Sequence, residues 1–172
     1  MAGKLVQVAT TTISGATASV SLTGIDDDSV YMVAGVGIGV ETNIREVNLR
    51  VTKSGTVQTD SEYDHAFYGF IGGGGDPTNV SDENLAYVRW DSDLGTGTSE
   101  LSNFIIYLYN FNSSSEYSYG VVKQTGVNHA EAALGKAGGF MHTVASASDG
   151  INIQGESSSN LLSGTMTLYK VV

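Results

Sequence analysis

Acidic side chains in two short stretches are the first candidates for chemistry, because carboxylate oxygens are ligands that calcium prefers. Asp91-Ser92-Asp93-Leu94-Gly95 has the first ligands of a calcium-binding loop, but no acidic residue follows at the spacing that an EF-hand requires. Asp26-Asp27-Asp28 could also attract a cation. An ordinary solvated turn is the preferred interpretation at both places, so the sequence predicts no required metal or cofactor.

The other residues with catalytic potential do not form a known motif. His65, His129 and His142 lie far apart, and none belongs to a His-x-x-x-His or His-x-His pair that would indicate zinc. The chain has no cysteine, which excludes thiolate metal sites and disulfides. Serine is abundant without a Gly-x-Ser-x-Gly elbow, and Gly72–Gly75 lacks the Lys-Ser/Thr of a phosphate loop. We therefore expect a protein that is not an enzyme.

Aromatic residues offer a different kind of site. Trp90 and the nine tyrosines could form a platform on which sugar rings stack. For Trp90 itself, a place in the hydrophobic core is the preferred interpretation.

Composition limits the possible partners. Eighteen acidic and eight basic residues give the 172-residue chain a formal charge of −10, which argues against binding to nucleic acid phosphates. No segment has the ~18 apolar residues of a membrane helix, and the opening Met1–Val8 leads into no apolar run of a secretory signal. Only 15% of residues are charged, which is typical of β-proteins that act outside cells or pack in assemblies.

Short segments of alternating apolar and polar residues, separated by turn residues at intervals of roughly 8–12, fill most of the chain. This spacing is typical of an antiparallel sandwich or barrel. We predict a single domain over residues 1–172, an all-β, jelly-roll-like antiparallel β-sandwich of about ten strands. One short helix is predicted at Asn128–Lys136, and a hairpin turn at Ser14–Thr17.

Alternation assigns faces to two of the strands. Within Glu46–Lys53 the predicted exposed residues are Glu46, Asn48 and Arg50, and the predicted buried residues are Val47, Leu49 and Val51. Within Tyr31–Val40 one face should carry Met32, Ala34, Val36, Ile38 and Val40. The other face of that strand is mostly glycine, which predicts a bend or a close approach of another group to the backbone.

The stretch Asn103–Phe111 predicts a central strand, because it has no glycine, proline or charge and is rich in aromatic and β-branched residues. Phe104, Ile106 and Leu108 should face the core. A sandwich has one core, so the apolar residues of the opposite face need another cover. These predicted interface residues are Ile105, Tyr107, Tyr109 and Phe111.

We predict that this second face contacts another copy of the chain. A ligand groove, or an overlying loop such as Gly72–Asn79, is the alternative cover. With a charge of −10 on each copy, such an association has to overcome electrostatic repulsion.

Several stretches resemble structural proteins from the virions of tailed phages. The ending Ser163-Gly164-Thr165-Met166-Thr167-Leu168-Tyr169-Lys170 resembles the closing strand of small jelly-roll virion proteins, as does Gly95-Thr96-Gly97 followed by Phe104–Tyr109. Val6–Gly24 and Ser61-Glu62-Tyr63-Asp64 are similar to virion proteins of marine cyanophages. The resemblance implies a structural virion protein, with no catalytic residues to carry over.

Two functions are consistent with that resemblance. The first is a head decoration or cement protein, a symmetric homo-oligomer and most often a trimer, that clamps major capsid or other virion proteins through many weak interfaces. The second is a tail or knob component that binds a host receptor or glycan. We expect the first, with the virion as its location.

Overall fold

The structure, a computed structural model, describes residues 3–43, 45–73, 78–156 and 159–172. Within these ranges the chain forms β-strands and no α-helix, and the strands pair antiparallel in two sheets with a sandwich-like arrangement. The described residues form thirteen strands, where the sequence predicts about ten. In chain order they are β1 (Leu5–Ile13), β2 (Ser19–Thr23), β3 (Tyr31–Val40), β4 (Arg45–Lys53), β5 (Thr56–Val57), β6 (Tyr63–Ile71), β7 (Thr78–Leu85), β8 (Val88–Leu94), β9 (Ser102–Tyr109), β10 (Ser118–Val127), β11 (Ala133–His142), β12 (Gly150–Gly155) and β13 (Leu161–Val171).

One sheet has eight strands and the other has five. The order in the larger sheet is β1-β13-β3-β9-β10-β11-β6-β7. The order in the smaller sheet is β2-β12-β4-β5, with β8 also paired to β4. The predicted hairpin at Ser14–Thr17 is wrong, because β1 pairs with β13 whereas β2 pairs with β12 in the other sheet. The strand β9 is central, as predicted, with β3 and β10 on its two sides.

The core fills the space between the sheets, where alternate side chains of each strand point inward. The residues predicted to be buried on β9 and β4 are all buried, namely Phe104, Ile106, Leu108, Val47, Leu49 and Val51. Trp90 is fully buried among them, with its ring centre 5.4 Å from that of Phe104 in an edge-on contact. The preferred interpretation of Trp90 as a core residue is therefore confirmed.

One prediction for β4 is wrong, since Asn48 is only 1% exposed. Its cross-strand neighbours are Gln154 on β12 and Arg89 on β8. Glu46 and Arg50, on the same face, are half-buried. A short polar side chain between two long ones loses contact with water, and alternation along a single strand does not reveal this.

The prediction that apolar residues of β3 share one face fails after Val36. Ile38 and Val40 lie in the core instead. The ladder with β9 is interrupted by a bulge between Gly35 and Ile38, where Gly37 adopts a φ of +66°. The extra residue exchanges the two faces of the strand, and glycine permits this backbone conformation.

The predicted helix at Asn128–Lys136 is wrong, because this segment forms the turn between β10 and β11 and the start of β11. The Asn128 side-chain oxygen accepts hydrogen bonds from the N–H groups of Ala130 and Ala132, at 3.0 and 2.9 Å. Glu131 adopts a left-handed conformation with a φ of +58°. The asparagine thus stabilises a turn that competes with a helix, and so short a helix has little stability of its own.

Candidate interaction surface

The outer face of the eight-stranded sheet, on the side away from the core, carries three of the four residues predicted for an interface. Ile105, Tyr107 and Tyr109 of β9 are 42%, 37% and 38% exposed. Phe111, the fourth, is fully buried, so its assignment to this face is wrong. Asn110 adopts a φ of +57° directly after the strand ends, so the alternation stops and Phe111 turns into the core.

Neighbouring strands extend this apolar face well beyond β9. Its exposed large apolar residues are Val36, Tyr68, Phe70, Ile105, Tyr107, Tyr109, Tyr119 and Val121. Because side chains of this kind have on the order of 200 Å² each, these partly exposed residues leave roughly 700 Å² of surface in water. The largest apolar patch of a monomer is usually about 300–600 Å², so the size of this one favours an interaction surface.

Three tyrosines project from β9 and β10 on this face. Tyr109 lies directly across from Tyr119 in the ladder, and Tyr107 precedes Tyr109 on the same side of β9. Their rings offer apolar area, while their hydroxyls can donate or accept hydrogen bonds. We call this group the tyrosine ridge.

Beside the ridge, one row of positions across β11, β6 and β7 carries small side chains. Gly139, Ala66 and Ser81 pair with one another in a row across the three strands. Together with Met141 and Asp64 they line a shallow cavity. We call Gly139, Ala66 and Ser81 the small-residue depression, because the row leaves space for a side chain from another molecule.

Charge is sparse on this part of the surface. Over the residues that the structure describes, the charged side chains next to the ridge and the depression are Lys123, Asp64, Asp82 and Glu83. Asp64 accepts a hydrogen bond from the Asn84 N–H at 2.8 Å. Most of the acidic residues that the structure describes therefore lie elsewhere, so contact through the outer face brings few carboxylates together.

The alternative cover suggested by the sequence, the loop Gly72–Asn79, is only partly described. Residues 74–77 lie outside the described ranges. Gly72 is tied to the start of β11, because its N–H donates to the Ala133 C=O at 2.7 Å.

The acidic stretch at the end of β2 has a cation supplied by the protein itself. The Lys170 ammonium lies 3.4 Å from Asp26 Oδ1 and also contacts Asp27 Oδ2. The Tyr31 hydroxyl donates a hydrogen bond to Asp26 at 2.7 Å, and this bond together with Lys170 lowers the pKa of Asp26. Hydrogen bonding to Lys170 likewise holds the pKa of Asp27 below its usual range. Two of the three carboxylates are thus paired with a lysine.

The second acidic stretch falls partly outside the description, since the side chains of Asp91 and Ser92 are not described. Asp93 adopts a φ of +62°, and its C=O accepts the His129 N–H at 2.9 Å. This bond ties the end of β8 to the turn after β10. Across the described part of the chain, no three His, Asp or Glu side chains converge in a way that could hold a metal ion.

Two histidines are buried beside carboxylates. His142 Nε2 lies 3.2 Å from Glu62 Oε2, and His65 Nε2 lies 3.6 Å from Asp82 Oδ2. Both side chains are fully buried, and burial lowers the pKa of each. Each imidazole is therefore held mainly in its neutral form within the sandwich.

A series of charged groups that the sequence analysis missed joins the two sheets. Arg89 on β8 donates to Asp82 on β7 at 3.2 Å, and its Nε lies 3.5 Å from Glu46 Oε2 on β4. Burial raises the pKa of Glu46 to about 7, against the opposing effect of Arg89. These residues are distant in sequence and meet only after folding, so no local pattern could have predicted the network.

No protein-family model, no curated protein and no solved structure matches this chain. Among the described residues, no helix has the length and apolar character needed to cross a membrane. The outer face of the larger sheet is therefore the feature from which we argue a function.

Proposed function

We propose that this chain is a structural virion protein of a tailed phage, a head decoration or cement protein that stabilises the capsid through protein–protein contacts. The observation that carries the proposal is the outer face of the larger sheet, where large apolar and aromatic residues expose roughly 700 Å² of surface in one copy. Patches of this size are typical of surfaces that another molecule covers. The proposed location is the virion, and the proposed partners are other copies of the chain and the major capsid protein.

We also propose that the sandwich is a jelly roll enlarged by two hairpins. Four strands of the larger sheet follow the order β1-β13-β3-β9, and the smaller sheet contains the order β2-β12-β4-β8. A chain that alternates between two four-stranded sheets in this way traces two Greek keys, the path of a jelly roll. The hairpins β6–β7 and β10–β11 widen the larger sheet. This strand order supports the resemblance to jelly-roll virion proteins.

A cement protein acts by adding many modest contacts. Each contact buries apolar area, and attachment of one copy at several points on a shell raises the effective concentration for the next contact. The tyrosine ridge suits this role because tyrosine combines apolar area with a hydroxyl that can bond at a wet rim. The resemblance favours a trimer. The outer face can serve as a contact surface whatever the number of chains in the oligomer.

The test is the protein content of purified virions from the phage that encodes the chain. A decoration protein is expected in on the order of hundreds of copies, and quantitative mass spectrometry against the major capsid protein gives the number. Virions without the protein should release DNA at a lower temperature. Absence of the chain from purified virions would refute the proposal.

A tail or knob component that binds a receptor or glycan is the second candidate. The observation that favours it is the row of exposed tyrosines, because aromatic rings of this kind stack against sugars. Trp90 does not contribute, since it is buried in the core. A copy number of a few tens or fewer, with glycan binding that Tyr107→Ala abolishes, would favour this function over the first.

A further inference from the structure

We infer that two copies of this chain pair face to face about a two-fold axis that runs along the strands between β10 and β11. This rests on the self-association in the proposed function, and it gives that association a geometry. The pair would replace the trimer that the resemblance favours. In it, Tyr107 of the tyrosine ridge in each copy lies over the small-residue depression of the other.

Strand order determines which strands meet. Because the order is β9-β10-β11-β6, an axis between β10 and β11 places β9 of one copy over β6 of the other, and β10 over β11. Tyr107, Val121, Gly139 and Ala66 form one row across these four strands. Tyr107 therefore meets Ala66 of the second copy, and Val121 meets Gly139. Within this row each large side chain faces a small one, and the symmetry repeats the match. In the row of Ile105 and Tyr68 the same axis sets these two large side chains against each other.

The next row adds polar and sulfur contacts. Tyr109, Tyr119, Met141 and Asp64 follow one another across the same strands. The axis sets Tyr109 over Asp64 of the second copy, where a phenol can donate a hydrogen bond to a carboxylate. It also sets Tyr119 over Met141, and thioethers make favourable contacts with aromatic rings.

Other symmetry fits the face less well. A two-fold axis across the strands would superpose each strand on its own copy, with Tyr107 against Tyr107 and an empty space over Ala66. A ring of three copies would divide the face between two neighbours, with about half of the apolar area for each contact. The axis along the strands uses the whole face at once.

The area and charge of the face agree with a stable pair. Sheets pack about 10 Å apart, which accommodates one layer of interdigitated side chains. Roughly 700 Å² per copy is close to the ~800 Å² per partner of a standard interface. The chain has a formal charge of −10, yet over the described residues the carboxylates beside the ridge and the depression are those of Asp64, Asp82 and Glu83, and Asp82 is paired with Arg89.

A size exchange tests the contact between Tyr107 and Ala66. Ala66→Tyr should fill the depression and raise the dissociation constant at least about tenfold, as should Tyr107→Ala by removing the ridge. The double variant Tyr107→Ala/Ala66→Tyr should bring the constant back to within a few-fold of the wild type. Leu5→Tyr is the control, since Leu5 is half exposed on β1 at the far edge of the sheet. Sedimentation equilibrium measures the dissociation constants of the four variants. A double variant with a dissociation constant as high as that of Ala66→Tyr would overturn the contact.

Cross-linking tests the symmetry, since the chain has no cysteine of its own. Val121 lies next to the axis, so a short bismaleimide should join Val121→Cys to the same position of the second copy. We expect a two-chain product that forms at least about tenfold faster than with Leu5→Cys. Equal rates for the two variants, or a wild-type assembly with the mass of three chains, would overturn the two-fold pair.

Failure of the pair and failure of the proposed function give different results. A protein found in virions that does not cross-link at Val121→Cys refutes the pair alone. A protein that forms the pair but is absent from purified virions refutes the virion role alone.

Discussion

The ring of Phe104 lies against the backbone of Gly35, so closely that a Cβ atom at residue 35 would be 2.3 Å from Phe104 Cζ. The two residues are directly paired on neighbouring strands, β3 and β9. The sequence predicts that something approaches the bare glycine face of β3, and at Gly35 it is this core ring. The contact fixes β9 from the core side, and β9 carries Tyr107 and Tyr109 on its other side.

Gly35→Ala should destabilise the protein. The added methyl group collides with a buried ring that has little space to move, and overpacking of this kind costs ~1–3 kcal/mol. Gly15→Ala is the control, because nothing lies within 4 Å of a Cβ at that position. Urea denaturation measures both, and equal midpoints for the two variants would contradict the contact.

Leu49→Ala should cost ~2–5 kcal/mol of unfolding free energy, because it leaves a cavity between the sheets. Leu49 is fully buried on β4. Arg50→Ala should cost only ~1 kcal/mol, through loss of the hydrogen bond from Arg50 Nε to the Ala86 C=O at 2.8 Å. Similar melting shifts for the two variants would show that the faces of β4 are assigned wrongly.

Acid should weaken the fold through His65. Burial lowers the pKa of His65 below the ordinary 6.5, although Asp82 opposes the shift. The unfolded chain then binds the proton more tightly, so this contribution to stability is complete above pH 6.5 and is lost as the pH falls below it. Between pH 7 and pH 5 the wild type should lose more unfolding free energy than His65→Gln does. His142 and Glu62 are unchanged in both proteins, so a loss of equal size would assign the effect to them.

The contribution of Glu46 to stability should depend on pH in the opposite direction to that of His65. Burial raises its pKa from 4.5 to about 7, so its contribution to stability is complete below pH 4.5 and is lost as the pH rises through 7. Glu46→Gln, which cannot ionise, should gain roughly 1–2 kcal/mol relative to the wild type on going from pH 4.5 to pH 8. Arg89 keeps Asp82 as a partner in the variant. Denaturation at the two pH values measures this gain in unfolding free energy. If the variant instead loses stability relative to the wild type at pH 8, the ion pair between Glu46 and Arg89 outweighs the cost of burying the carboxylate.

Much of the strand pattern could be predicted from local alternation. The predicted strand Tyr31–Val40 has the observed bounds. The inward and outward residues of β9 follow the period of two as far as Tyr109. Each of these strands has one face toward the core and one face away from it, so the alternation of residue types along the sequence matches the alternation of the two faces.

The errors have physical causes that lie outside a single segment. Phe111 follows one residue with a positive φ, which reverses the side to which it points. The edge strand β7 is polar, since an edge needs few apolar residues, so the sequence pattern missed it. The register that aligns Tyr107 with Val121, Gly139 and Ala66 depends on three separate strand pairings. The candidate surface could therefore be predicted on β9 alone and not in its full extent.

Self-association through the outer face should strengthen with salt. Each copy has a formal charge of −10, and salt shortens the range of the repulsion from ~30 Å at 0.01 M to ~10 Å at 0.1 M, while the apolar contact remains. The dissociation constant from sedimentation should therefore fall as salt is raised. Tyr107→Glu and Tyr109→Glu should prevent association at every salt concentration, because each buries a carboxylate in an apolar contact.

Leu5→Glu is the matched control for these two variants, since it adds the same charge to an exposed apolar position on the edge strand β1, three strands away from β9. It should shift the salt dependence slightly and leave association intact. The three variants together separate the contribution of net charge from that of the face. A wild type that stays monomeric at high protein and high salt concentrations, with virion binding unchanged in Tyr107→Glu and Tyr109→Glu, would show that this face is not an interface.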